Sequence, residues 1–164
     1  MKTCHLILQR RIDTPLGPLT AARSAAGLAG LWFDGQKHHP GTLDVPEDGG
    51  RDAVLSATEA ALQAYFAGRP FALPPLDPRG TGFQREVWRA LLAIEAGASV
   101  TYGRLAERLG RAQAARALGA AVGRNPISIL VPCHRVVGAG GALTGYAGGL
   151  ERKRALLKLE GWAG

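Results

Sequence analysis

RPFALPPLDPRGTG, residues 69–82, carries four prolines and separates two stretches of different character. Proline lacks an amide donor and holds its predecessor extended, so neither a helix nor a central strand continues through this segment. It reads as an extended linker and predicts an N-terminal domain over 1–78 and a C-terminal domain over 79–164. Upstream, HLILQRRI predicts a first strand and TPLGPL a turn. PLTAAR and GLAGLWF make a hairpin, and QKHHPGTLDVPEDGG a loop. RDAVLSATEAALQAYFAG repeats Val54, Leu55, Leu62, Tyr65 and Phe66 at helical spacing, with Gly68 where a C-terminal cap belongs.

Downstream the pattern turns helical. FQREVWRALLAIEAG places Phe83, Val87, Trp88, Leu91 and Leu92 on one face, and TYGRLAERLG is a shorter helix ended by Gly110. RAQAARALGAAVG follows, and two short helices around a glycine turn in a basic segment form a helix-turn-helix pattern. In the second helix Arg116 has Ala112, Gly119, Ala120 and Gly123 as neighbours, a nearly bare face that lets a backbone approach the minor groove. The competing reading packs these small residues on another helix and pairs Arg116 with an acid.

The 164 residues are 46% hydrophobic, enough for one compact domain or two small ones, and carry a formal charge of +7. A polyanion is the natural partner of that charge, although a solvated basic surface accounts for it equally well. No run approaches the roughly 20 apolar residues of a membrane span, so a soluble, cytoplasmic protein is expected. Two distant cysteines, Cys4 and Cys133, fit a reducing compartment better than a disulfide framework. Cys4, His5, His38 and His39 lack zinc-ligand spacing, and GAGGALTGYAGG fails the dinucleotide fingerprint, so no metal or cofactor is expected.

NPISILVPCHRVV sets Cys133 between Pro132 and His134–Arg135. Adjacent residues on an extended chain point opposite ways, so a thiol–imidazole partnership requires a local turn, for which Pro132 is suited. His134 and Arg135 are the nearest candidates to favour a thiolate. In GLERKRALLKLEG the residues Leu150, Lys153, Leu156, Leu157 and Glu160 share one side of a helix. Glu160 therefore lies on an apolar face and needs a partner, for which His134 is suited.

TPLGPL, FQREVWRALLAI, TYGRLAERLG, AARALGAAVGRNPISILVPCHRVVG and LTGYAGGLERKRALLKLEG occur in the order and spacing of the O6-alkylguanine-DNA alkyltransferases. The chain resembles their bacterial, Ogt-like members over essentially its whole length. The resemblance implies an α/β fold: a small N-terminal ribonuclease-H-like domain and a C-terminal helical domain of winged-helix, helix-turn-helix type. It implies repair of O6-alkylguanine, and less of O4-alkylthymine, in duplex DNA by alkyl transfer to Cys133. His134, through a water, and Glu160 complete the implied relay, and Asn125 fixes the turn ahead of it. Tyr102 turns the target phosphate and donates to the guanine, while Arg116 fills the gap behind the flipped base. Tyr102, Ala115, Arg116, Gly119 and Ala120 form the implied DNA face, and Tyr102, Cys133, Val136, Tyr146 and Ala147 the base pocket. Ala147 stands where some relatives have serine, which implies a changed substrate preference with activity kept.

A thioether product has no easy hydrolytic exit, so the expected reaction is stoichiometric and single-turnover, by a monomer whose cooperativity on DNA is left open. Two other readings are a lesion sensor without chemistry, which Cys133 opposes, and a transcriptional regulator, which the bare helix face opposes.

Overall fold

The first three strands, β1 (Leu6–Ile12), β2 (Leu19–Ser24) and β3 (Leu28–Phe33), form an antiparallel sheet in the order β1-β2-β3. In the TPLGPL turn the Thr14 hydroxyl accepts from the Leu16 amide at 3.2 Å and donates to the Gly17 carbonyl at 2.6 Å. All six residues of β3 are buried. Gly30 is required there, because a Cβ at this position would lie 1.9 Å from the Trp32 ring that folds back over the strand.

This computed structural model describes residues 3–164, and the chain divides into two units. One is the chain up to Arg79 with Pro126–Leu130, and the other is Gly80–Asn125 with Val131–Gly164. In the first unit the proline-rich segment is extended and docked: the Leu28 amide donates to the Pro75 carbonyl at 2.8 Å and the Asp77 amide to the Leu28 carbonyl at 2.7 Å. Helix α1 (Ala53–Phe66) starts at Asp52, whose carboxylate accepts from the Leu55 amide. It ends at Gly68, with φ of 68°, where the Gly68 and Arg69 amides close back on the Tyr65 and Ala64 carbonyls. Leu55, Leu62 and Tyr65 are its buried stripe, as the spacing predicts. Arg10, on β1, is buried and donates to Asp48 and Glu59, tying the 36–50 loop and α1 to the sheet.

Chain order does not reveal the second piece of this unit. Pro126–Leu130 returns to β3, where Leu31 pairs with Ile127 in parallel register and the Ser128 amide donates to the Leu31 carbonyl at 2.9 Å. Ile129 takes a left-handed φ of 71°, costly for a β-branched residue, and is buried.

In the second unit, α2 (Gly82–Leu91) opens with a capping box between Thr81 and Gln84. Val87, Trp88 and Leu91 are buried, but Leu92 is exposed, because the helix ends before it would rejoin that face. Strand β4 (Val100–Thr101) leads into α3 (Tyr102–Arg108), capped by the Thr101 hydroxyl. Helix α4 (Ala115–Gly123) begins later than the sequence pattern suggests, leaving Ala112 in the turn before it. The Trp88 indole donates to the Ala121 carbonyl at 2.8 Å, joining α2 to α4. Strand β5 (Val136–Val137) pairs with β4 in parallel, and α5 (Leu150–Leu159) buries Lys153, Leu156 and Leu157 while Leu150 is exposed. Among the described residues no helix is long and apolar enough to cross a membrane.

Candidate active site

Pro132 precedes a single turn of 3-10 helix, Cys133–Arg135, that runs straight into β5. With three residues per turn, successive side chains leave a 3-10 helix about 120° apart. Cys133, His134 and Arg135 therefore project in three directions, and each meets a different environment.

His134 is fully buried, and its Nε2 lies 2.6 Å from Glu160 Oε2. The other carboxylate oxygen, Oε1, accepts from Arg135 Nε at 2.7 Å. Glu160 caps the C-terminus of α5, and its side chain is only 3% exposed, so both partners are needed to hold a charge there. The Tyr146 and His134 rings meet edge to face, with centroids 6.4 Å apart at 87°. Burial pushes His134 below its usual value; Glu160 opposes this, while Arg135 and Lys153 add to it. The imidazole is thus held neutral, as a base must be.

Cys133 is buried beside Asn125 and Lys153. Burial pushes the thiol up, and the Asn125 side chain, the Lys153 charge and the backbone amide of Cys133 pull the other way. Asn125, just past the end of α4, also donates through Nδ2 to the Val131 carbonyl at 2.9 Å, which ties α4 to the cysteine segment. Lys153 is fully buried and donates to the carbonyls of Val136, Thr144 and Gly145 at 2.6, 3.0 and 3.2 Å. Burial lowers it to about 8, and Cys133 acts against that shift. The cation serving the thiol is therefore Lys153, whereas Arg135, a candidate from sequence adjacency, is committed to Glu160 and to the Ile94 carbonyl. The helical-face pattern placed Lys153 among apolar residues; a lysine inside a buried stripe was the available signal of a task.

Residues 82–162 match the family described as 6-O-methylguanine DNA methyltransferase, DNA binding domain, and residues 7–77 match its ribonuclease-like domain. The chain belongs to the 6-O-methylguanine DNA methyltransferases. The methylated-DNA–protein-cysteine methyltransferase of Mycobacterium tuberculosis is 48% identical over 156 residues, 94% of this chain and 93% of the relative. The protein of the same name from Shigella flexneri is 44% identical over 165 residues, covering 95% and 96%. The crystal structure of Mycobacterium tuberculosis OGT in complex with DNA superposes with a TM-score of 0.83 at 46% identity, covering 94% of this chain and 93% of that one. The two-domain fold expected from the sequence is the fold of this methyltransferase family, and transfer of an alkyl group to a protein cysteine is its activity.

On α4 of this methyltransferase, Arg116, Ala117 and Ala120 are exposed, while Leu118, Ala121 and Val122 are buried. Among the described residues Arg116 makes no ion pair, which removes the alternative in which it serves a neighbouring acid. Ala115 starts the helix, and Gly119 lies against Tyr102, where a Cβ would sit 3.8 Å from the ring. The Tyr102 hydroxyl donates to the Thr144 carbonyl at 3.3 Å; burial and Cys133 push its pKa up, so it remains a donor. Thr144 begins the stretch that carries Tyr146 and Ala147, both half-buried, and Lys153 grips the same stretch through Thr144 and Gly145. The Val136 carbonyl accepts from Lys153.

Proposed function

We propose that Cys133 is the alkyl acceptor of this methyltransferase and that duplex DNA carrying O6-alkylguanine, and less readily O4-alkylthymine, is its substrate. The observation that carries this reading is the buried His134–Glu160 pair on the 3-10 turn that also carries the buried Cys133. Nε2 of His134 is occupied by Glu160 at 2.6 Å, whereas Nδ1 is buried with no hydrogen-bond partner among the described residues. A ring fixed at one nitrogen and open at the other can take the thiol proton, through a water.

The bonds balance as follows. The proton of Cys133 passes to His134 Nδ1, the sulfur forms a bond to the alkyl carbon, and the carbon–O6 bond breaks with its electron pair going to guanine. The purine recovers a proton, first supported by Tyr102 and finally supplied from the imidazolium. Lys153 opposes the cost of negative charge on sulfur before the bond forms. For Tyr102 to serve the base, its single hydroxyl proton must leave the Thr144 carbonyl. The product is a thioether, so each molecule acts once.

A base inside a duplex hides O6 in the stack, and the nucleotide must rotate out to meet a buried thiol. Arg116, exposed and unpaired on a face of Ala117 and Ala120, is placed to enter the minor groove and take the vacated position. Ala147 offers its backbone amide at the pocket without a side-chain hydroxyl. We read the protein as a monomer, since one chain carries Cys133, His134 and Glu160 together, and as cytoplasmic, where two distant free cysteines stay reduced.

Incubation with a duplex containing radiolabelled O6-methylguanine, followed by intact mass and peptide mapping, tests the reading. One methyl on Cys133 per protein is expected. Label found elsewhere, or more than one methyl turned over with release of free product, rejects it.

A further inference from the structure

We propose that Arg135 is a positioning residue for alkyl transfer: it fixes the Glu160 carboxylate so that His134 presents an unprotonated Nδ1 to the thiol. The inference rests on Cys133 as acceptor and His134 as base, and concerns what keeps that base in its working form.

Glu160 stands at the C-terminal end of α5, followed by Gly161 in the left-handed region at φ 80°. The carbonyl dipoles of a helix end disfavour a carboxylate there, and burial to 3% exposure removes the water that would screen it. A nearby cation is therefore required. Arg135 meets that need from the adjacent 3-10 turn, and its guanidinium is itself held by the Ile94 carbonyl, on Nη1 at 2.5 Å. The guanidinium is planar and its donors are fixed in direction, so this bracket sets the orientation of the carboxylate as well as its charge.

The consequence reaches His134. An ionised carboxylate only accepts, and its two oxygens are divided between Arg135 Nε at 2.7 Å and His134 Nε2 at 2.6 Å. The proton on the ring must then sit on Nε2, and Nδ1 is left with its lone pair. With Arg135 gone, the buried carboxylate favours an imidazolium at its other oxygen, and a ring already protonated cannot accept from the thiol. The charged and titratable groups facing His134 are Glu160 at the end of α5 and Lys153 within it, Arg135 on the 3-10 turn, and Tyr146 in the stretch before α5, with Cys133 its neighbour in the chain. Arg135 and Lys153 both disfavour the imidazolium, Glu160 favours it, and burial disfavours it most.

The test compares wild type, Arg135→Gln, Arg135→Lys and His134→Gln in single-turnover methyl transfer from a duplex O6-methylguanine oligonucleotide, from about pH 5 to about pH 8. Arg135→Gln is expected to lose about tenfold in rate at neutral pH and to move its acid limb up by about one unit. Arg135→Lys, which keeps the charge, is expected to hold the limb in place and stay within about threefold of wild type. A wild-type rate and limb in Arg135→Gln, or a uniform slowing with no movement of the limb, overturns the proposal by leaving Arg135 a mere anchor. If Arg135→Gln does not fold, nitrogen-15 spectra of wild-type His134 decide: a protonated Nε2 with a bare Nδ1 supports the proposal, and the opposite tautomer overturns it. His134→Gln at the wild-type rate defeats the underlying reading of His134 as base, a result separate from any behaviour of Arg135.

Discussion

Lys153 Nζ lies 2.6 Å from the carbonyl oxygen of Val136, three residues beyond Cys133, and is fully buried there. One ammonium thereby joins the strand after the cysteine to the Thr144–Gly145 stretch while contributing positive charge to the thiol. Lys153→Met keeps much of the volume but takes the ammonium from the Val136 and Gly145 carbonyls and leaves Thr144 to Tyr102. We expect a loss of roughly 2–4 kcal/mol by urea denaturation, since each buried polar group left unmade costs about 1–3 kcal/mol. Alkylation of Cys133 by iodoacetamide at neutral pH should slow in the same variant, and unchanged thiol reactivity would remove the lysine from the electrostatics of the site.

His134 is buried neutral, with its folded-state pKa below the usual 6.5. The unfolded chain therefore binds a proton that the folded chain refuses, and the sign follows: stability falls as pH drops below about 6.5, until the folded value is reached. The slope contributed by one such group is at most about 1.4 kcal/mol per pH unit. Denaturation midpoints between about pH 5 and pH 7 should show this slope in wild type and lose it in His134→Gln.

Arg116 is exposed and, among the described residues, makes no ion pair, so Arg116→Ala should change stability by less than about 0.5 kcal/mol. Transfer from duplex DNA should nevertheless fall by about tenfold or more, while transfer from the free modified base stays near wild type. Equal losses with both substrates would place Arg116 in the chemistry rather than in base extrusion. Cys133→Ala should show the converse, binding duplex with no transfer.

The buried Arg10 holds Asp48, which it keeps far below the usual carboxylate range, the guanidinium hydrogen bonds being the largest cause. That stabilisation is present above the unfolded value of about 3.9 and disappears as pH falls through the folded one. Asp48→Asn leaves the buried guanidinium with Glu59 as its carboxylate partner and should cost about 1–3 kcal/mol at neutral pH, read by denaturation. Methyl transfer by the folded fraction should be unaffected.

The hairpin and α1 were legible because they rest on local rules: alternation, helical spacing and caps act over a few residues. The family was legible through ordered motifs, and Glu160 through its place on an apolar helix face. Leu92 and Leu150 misled the same reasoning, since periodicity continues past the point where a helix ends or leaves the core. The start of α4 and the return of Pro126–Leu130 to β3 depend on partners far away in sequence.

The sequence by itself determined the hairpin, the longer helices, the position of Cys133 and what chemistry the PCHR segment resembles. Only the tertiary structure decided how charge is shared around that cysteine. Arg135, adjacent to the site, was turned to Glu160 by the 3-10 geometry, and Lys153, 20 residues from Cys133, became the cation at the thiol. The physical reason is burial: once water is excluded, a charge must find a partner within a few ångströms, and which groups lie that close is settled by packing rather than by order along the chain.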